Sequence, residues 1–160
     1  MSYHITVADT LDLRLAEHAV RWDVFVCEQH VPFVLEIDSH DFDPRVIHLV
    51  ALPDEAYGQQ ALGCVRILTD SPGHYHLGRL AVRAQARGMR LGHALVEAVH
   101  DYVAKSTPCS EEACVVLNAQ LQAQGFYERA GYRATSRAVF LDAGIEHQEM
   151  IRVVAGRAAH

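Results

Sequence analysis

The stretch that most constrains this chain of 160 residues is Leu77-Gly-Arg-Leu-Ala-Val-Arg-Ala-Gln-Ala-Arg-Gly-Met-Arg-Leu-Gly-His-Ala-Leu-Val96, which reads as a strand, a glycine-bearing loop and a helix. From Leu91 onward the apolar residues Leu91, Ala94, Leu95, Ala98, Val99, Tyr102 and Val103 form one helical stripe, while Arg90, His93, Glu97, His100 and Asp101 fill the other face. A helix with one buried face therefore starts near Arg90. Ahead of it, Gly88 and Gly92 allow a sharp turn and a close approach to the backbone, and Arg87 and Arg90 add positive charge. The unpaired N–H groups and positive dipole end of such a helix suit an anion such as a phosphate. There is no Gly-Lys-Ser/Thr ending and no Gly-x-Gly-x-x-Gly opening a chain-initial strand–helix unit, which excludes P-loop and dinucleotide-fold readings.

The remaining periodicities predict the order β-α-β-β-β-α-β-α-β-β. Residues 3–7 alternate as a short strand, and Asp9 or Thr10 caps a helix through Leu13, Ala16, Val20, Val24 and Cys27 that Pro32 ends. The following Glu36-Ile-Asp-Ser-His-Asp-Phe-Asp43 reads as a solvated acidic loop. Residues 46–52, 62–69 and 74–83 form a three-stranded antiparallel meander, with a turn over 54–60 and a second at Ser71-Pro-Gly73. Residues 113–117, β-branched and set between helices, form a strand parallel to their predecessor. A helix over 119–130 stops at Gly131, and strands over 135–141 and 147–154 close around Asp142-Ala-Gly144.

Length and composition, with 50% hydrophobic and 21% charged residues, fit one domain over residues 1–160 with a sizeable core. With 14 basic and 20 acidic residues, the net charge of −6 argues against nucleic acid and anionic membranes and favours a cationic partner such as an amine. The opening Met-Ser-Tyr-His-Ile-Thr-Val has neither a basic n-region nor an apolar h-region, so a cytoplasmic location is expected. Cys27, Cys64, Cys109 and Cys114 show no C-x-x-C spacing, and His74 with His76 offers two metal ligands without a third, so no metal is expected.

Two motifs carry a resemblance. Arg87-Gly-Met-Arg90-Leu-Gly92 is similar to the Gln/Arg-x-x-Gly-x-Gly/Ala pyrophosphate loop of the GCN5-related N-acetyltransferases, the GNAT family, departing from it at Arg90 where glycine is usual. Ala119-Gln-Leu-Gln-Ala-Gln-Gly-Phe-Tyr-Glu-Arg-Ala-Gly-Tyr132 resembles the family's Asn-x-x-Ala-x-x-Phe-Tyr-Glu-Lys-x-Gly-Phe helix, with Gln120 in place of Asn. Within the family, Val24-Phe-Val-Cys-Glu-Gln29, Glu36-Ile-Asp38, Gly78-Arg79 and Phe140-Leu-Asp-Ala-Gly-Ile-Glu-His147 look like the small ElaA-like branch. The predicted element order is the family's, which implies an α+β sandwich: a mixed, mainly antiparallel sheet with helices on both faces.

The resemblance implies transfer of an acetyl group from acetyl-CoA to a primary amine of a small molecule or peptide. It also implies roles. The N–H of Leu80, held in a strand, would stabilise the oxyanion that develops at the thioester carbonyl. Leu80, Ala81 and Val82 would pair with the pantetheine arm, and Arg87, Gly88, Met89, Arg90, Leu91, Gly92, His93 and Ala94 would hold the pyrophosphate. Asn118, Gln120, Ala123, Phe126 and Tyr127 complete the expected cofactor site. Tyr127 would protonate the departing thiolate. His76, eleven positions before Arg87 and in period-2 phase with Gly78, Leu80 and Val82, is the expected base for the amine, on the same strand face as the oxyanion donor. Glu28, Asp38 and His147 are reserve candidates for amine binding or for the base. The alternative is an acyl-CoA-binding module without turnover, to which the Arg90 and Gln120 departures point. The carboxyl-terminal strands offer a surface for a homodimer.

Overall fold

The computed structural model describes residues 2–54 and 60–158. Most of the turn expected over 54–60 lies outside these residues. Strand β1 (Tyr3–Val7) leads into helix α1 (Leu11–Arg21), where the Thr10 hydroxyl accepts from the Leu13 N–H as N-cap. The helix then widens into a π-helical segment, Trp22–Glu28, closed by a bond from the Gln29 N–H to the Val24 carbonyl. A one-turn helix α2 (Phe33–Glu36) follows Pro32, and a 3₁₀ turn covers Ser39–Phe42. Strands β2 (Ile47–Pro53), β3 (Gly63–Ser71) and β4 (His74–Val82) form the expected antiparallel meander. After a loop comes α3 (Leu91–Ser106), then β5 (Glu112–Gln120), a 3₁₀ turn and α4 (Gln124–Arg129). Strands β6 (Arg133–Ala134), β7 (Phe140–Asp142) and β8 (Ile145–Ala155) close the chain.

The sheet order is β1-β2-β3-β4-β5-β8-β6, with β7 also on β8. The β4–β5 pair is parallel, as expected. On one face α3 covers the main core, in which Leu91, Leu95, Val96, Val99 and Val103 meet Val65, Ile67, Leu77, Val115, Leu117 and Met150. On the other, Val20 and Val24 of the first helix meet Val50, Cys64 and Ala81.

Three expectations are corrected. The helix placed over 119–130 begins later: Ala119 and Gln120 remain strand, because β8 pairs with β5 as far as Gln120↔His147. The strand placed over 135–141 shortens to Phe140–Asp142, preceded by the two-residue β6. The acidic loop is only partly solvated, since Glu36 and Asp41 are buried. Arg21, fully buried, donates from Nε to Glu36 Oε1 (2.5 Å) and from Nη1 to Asp41 Oδ1 (2.6 Å), while Arg66 donates from both Nη atoms to Asp38 (2.8 and 2.9 Å). Glu17 joins through Arg14 (2.5 Å), Arg21 and His48. Four arginines and four carboxylates thus form a largely water-excluded lattice whose fourth cation is Arg79. Such a set is held by mutual pairing, because an unpaired buried charge is far more costly than a paired one.

Burial opposes ionisation of Glu17, Asp38 and Asp41, but hydrogen bonds from His48, Arg66 and Arg21 respectively outweigh it and hold all three below the usual carboxylate range. Depressed carboxylate pKa values stabilise the fold above about pH 4, and that contribution disappears as pH falls through the folded values. Arg21→Met should therefore lose about 3–5 kcal/mol at pH 7 by leaving Glu36 and Asp41 uncompensated, and its stability should fall less steeply on acidification than that of the natural protein. Urea unfolding at pH 7 and across pH 3–6 measures both effects.

Candidate active site

Pairing between β4 and β5 runs from His74↔Cys114 to Leu77↔Leu117 and stops there. Beyond it Gly78–Val82 and Asn118–Gln120 diverge, and the opening is a cavity of about 840 Å³. Its floor is sharpened by a bulge. Cys64 pairs with Ala81 and Arg66 with Gly78, so Val65 alone stands opposite Arg79 and Leu80, and Arg79 takes a left-handed φ of +53°.

The bulge changes which residues share a face. Tyr75 and Leu77 point into the core under α3, and so do Leu80 and Val82, whereas Ala81 joins the core under α1. His76 and Gly78, alternating with Tyr75 and Leu77, therefore lie on the α1 face. The expectation that His76 shares a face with Leu80 is thus overturned by one extra residue in the strand. On β5, Leu117 and Ala119 face the α3 core, which places Asn118 and Gln120 on the α1 face; His147, directly across from Gln120, joins them. Both histidines line the cavity.

On the α3 side stand Phe126 and Tyr127, their rings edge to face at 5.0 Å, with Tyr127 packed in turn on Tyr132 at 5.9 Å. Burial pushes the Tyr127 phenol well above its usual pKa, so it remains a proton donor across the working pH range. Behind it Arg152 Nη1 donates to His100 Nδ1 (2.8 Å), which leaves Nε2–H to donate to the Tyr132 oxygen (2.8 Å). Burial and Arg152 together lower His100 to about 4.

Burial also lowers the His76 pKa, keeping the imidazole neutral and basic near pH 7. His147 Nδ1 lies 2.7 Å from the Ile145 carbonyl, which can only accept, so Nδ1 carries a proton, and in the neutral ring the lone pair is on Nε2. Its ring stacks on Phe140. The reserve carboxylates are otherwise engaged: Asp38 by Arg66, and Glu28 by Arg87 Nη2 (2.6 Å), whose Nε also donates to the Val82 carbonyl (3.1 Å).

Among the expected cofactor residues, Leu80, Ala81, Val82, Arg87, Gly92, Asn118, Gln120, Ala123, Phe126 and Tyr127 line the cavity. Gly88, Met89, Arg90, Leu91, His93 and Ala94 form the adjoining loop and first turn of α3; the Leu91 side chain is core, so only its backbone is available to a ligand. Gly88 sits at φ +84° and Arg90, the N-cap, at φ +60°. The glycine usual at this second position would adopt that conformation without the roughly 1–2 kcal/mol it costs other residues. Asn118 Oδ1 is buried and has no hydrogen-bond partner among the described residues, an acceptor suited to an amide N–H of an extended arm in the cavity. Gln120 is held within the protein: its Nε2 donates to Gln29 and its Oε1 accepts from Gln122.

The sequence reading missed Arg79, which lines the cavity, and Arg66, which holds the lining residue Asp38. The available signal was one arginine inside an apolar run of each strand, Cys64-Val-Arg-Ile-Leu68 and Leu77-Gly-Arg-Leu-Ala-Val82, which implies a buried anionic counterpart.

A family model described as an acetyltransferase (GNAT) domain matches residues 45–154. The chain belongs to the GNAT family. It is 34% identical over 133 residues to the N-acetyltransferase YjcF of Bacillus subtilis strain 168, covering 83% of this chain and 87% of that one. Among solved structures it is similar to an acyl-CoA N-acyltransferase from Pseudomonas aeruginosa (TM-score 0.79, 32% identity, 94% of this chain and 99% of that one). Escherichia coli ElaA shares the fold at a TM-score of 0.78 and 24% identity, over 94% of this chain and 98% of its own. This GNAT protein is an acyl-CoA-dependent acyltransferase.

A Cβ on Gly92 would lie 3.4 Å from the Phe126 ring, an ordinary contact, and a carboxylate in the first turn favours the helix dipole. Gly92→Asp should therefore fold with an unchanged or higher melting temperature while losing about tenfold or more in coenzyme A affinity through repulsion of the pyrophosphate. Calorimetry and thermal unfolding on one preparation read the two effects separately.

Proposed function

We propose that this GNAT domain, spanning residues 1–160, moves an acetyl group from acetyl-CoA to a primary amine of a small molecule or peptide by direct attack on the thioester. Residues 1–44 belong to the same unit because β1 and α1 pack on the sheet that carries the site. One observation supports this reading: Tyr127 on one face of the sheet and His76 with His147 on the other flank the gap where β4 and β5 part, as a proton donor and proton acceptors would.

The α3 side takes the cofactor. The helix start and the amides of the loop at Gly88 and Gly92 would receive the pyrophosphate, with Arg87 beside them, and the freed edge of β4 would pair with the pantetheine arm. Leu80, fixed by the bulge at the floor of the gap, would donate its N–H to the oxyanion. An amine arriving on the α1 side meets His76, whose neutral ring can take the proton that an ammonium must lose before it attacks. Tyr127, protonated on the opposite side, would donate to the leaving sulfur. Proton removal and proton delivery are thereby kept apart, and neither group has to change partners during the reaction.

Tyr127→Phe should cut kcat ten- to a thousandfold while leaving coenzyme A affinity in place, as measured by thiol release and calorimetry. For His76→Gln, kcat/KM should fall and the acidic limb of its pH profile, expected below the ordinary histidine value of about 6.5, should change shape. An unchanged rate and profile for the glutamine variant would leave His76 a structural histidine.

A further inference from the structure

Arg79 stands one residue before the proposed oxyanion donor and lines the same cavity. Its Nε and Nη2 donate to the Glu36 carbonyl (3.2 and 2.9 Å), and Nη2 also reaches the Leu35 carbonyl (3.3 Å) and Asp38 Oδ2 (3.4 Å). These bonds tie α2, a wall of the acceptor side, to the bulge. Nη1 has no hydrogen-bond partner among the described residues, although 24% of the side chain is exposed. The neighbouring carboxylates are paired with other arginines: Glu36 Oε1 and both oxygens of Asp41 with Arg21, and both oxygens of Asp38 with Arg66. The cavity lining also holds Glu28, Asp142 and Asn118, and Arg79 Nη1 is the cationic donor that stands among the polar groups on this side, beside the two histidines. Burial, then Arg66 and Arg21, weigh against the Arg79 charge more than Glu36 and Asp38 support it, so the guanidinium sits in an under-neutralised position.

We infer that the acceptor amine carries a carboxylate on the same small molecule and that Arg79 Nη1 holds it beside the gap. The proposal rests on the amine-acetylation reading above and narrows its substrate class to amino acids. A phosphate suits the position less well, because Glu36 Oε1 and Asp38 Oδ2 each lie 3.4 Å from the same guanidinium and would repel a dianion more than a monoanion. A left-handed arginine at the floor of the site fits this role, since backbone strain persists where surrounding structure enforces it and concentrates at functional positions.

The test uses product binding, which needs no turnover, alongside turnover itself. A panel of N-acetyl amino acids and the matching N-acetyl amino acid carboxamides is titrated by calorimetry into the natural protein and into Arg79→Gln. Thiol release from acetyl-CoA is followed with the free amino acids and their carboxamides. N-acetylphosphoethanolamine and N-acetylethanolamine form the phosphate arm. The expected result is carboxylate-over-carboxamide selectivity of about tenfold or more for the best member of the panel in the natural protein, falling to within about twofold in Arg79→Gln. Equal or reversed preference in the natural protein overturns the proposal, as does absence of binding across the panel, a stronger preference for the phosphate, or a folded Arg79→Gln that keeps the selectivity. If the natural protein alone settles the preference because Arg79→Gln does not fold, Arg79→Lys, which keeps the charge but not the fork, should show a reduced ratio; an undiminished one overturns the assignment. Carboxamides acetylated as fast as the acids would sink this proposal and leave amine acetylation standing. Selective product binding without acetylation of any amine would do the reverse.

Discussion

The separation of two parallel strands after Leu77 and Leu117 governs the rest of this molecule. A sheet ordinarily satisfies its backbone by pairing every interior edge, so strands that part in the middle of a sheet expose donors and acceptors that must find partners elsewhere. Here the freed edge lies between two cores, one under α1 and one under α3, and the gap connects the two faces. The bulge at Arg79 adds a second effect. It turns the strand by one residue, so that residues before it and after it present opposite sets of side chains to each face. The site is therefore built from both sides of one sheet.

The acceptor side owes its shape to charge. Helix α2 and the 3₁₀ turn at Ser39–Phe42 are too short to hold themselves by helical bonding alone, and Phe33, Val34, Leu35 and Phe42 all keep half or more of their surface exposed. Arg21, Arg66 and Arg79 anchor them instead, through Glu36, Asp38, Asp41 and the backbone carbonyls of residues 35 and 36. The π-helical segment places Val24, Phe25 and Glu28 along the same cavity.

The loop and the helix after it were legible in the sequence because glycine placement and a 3.6-residue stripe are local signals. The strand boundaries of the meander were legible for the same reason. Ala119 and Gln120 were misread because nothing in their own chemistry separates the end of a strand from the start of a helix; pairing with β8 decides it, and β8 lies nearly thirty residues downstream. The acidic loop was misread because its neutralising arginines are 15 to 43 residues distant in the chain. His76 lines the cavity from the face opposite to the one expected, since a bulge formed at an arginine leaves no glycine to announce it. His147 was found by motif, whereas its fixed tautomer depends on one bond to the Ile145 carbonyl that only the folded turn supplies.

The lattice around Arg21 also limits how the sequence can drift. Its charges balance as a group, so an exchange at Arg21, Glu36 or Asp41 taken singly leaves a partner stranded without water, while replacing several together by apolar residues of similar volume can be close to neutral. Routes through single substitutions are blocked where routes through concerted ones are open. Positions 17, 21, 36, 41 and 66 are thereby bound to one another as a block, and descendants of this chain should keep the whole set or exchange it together.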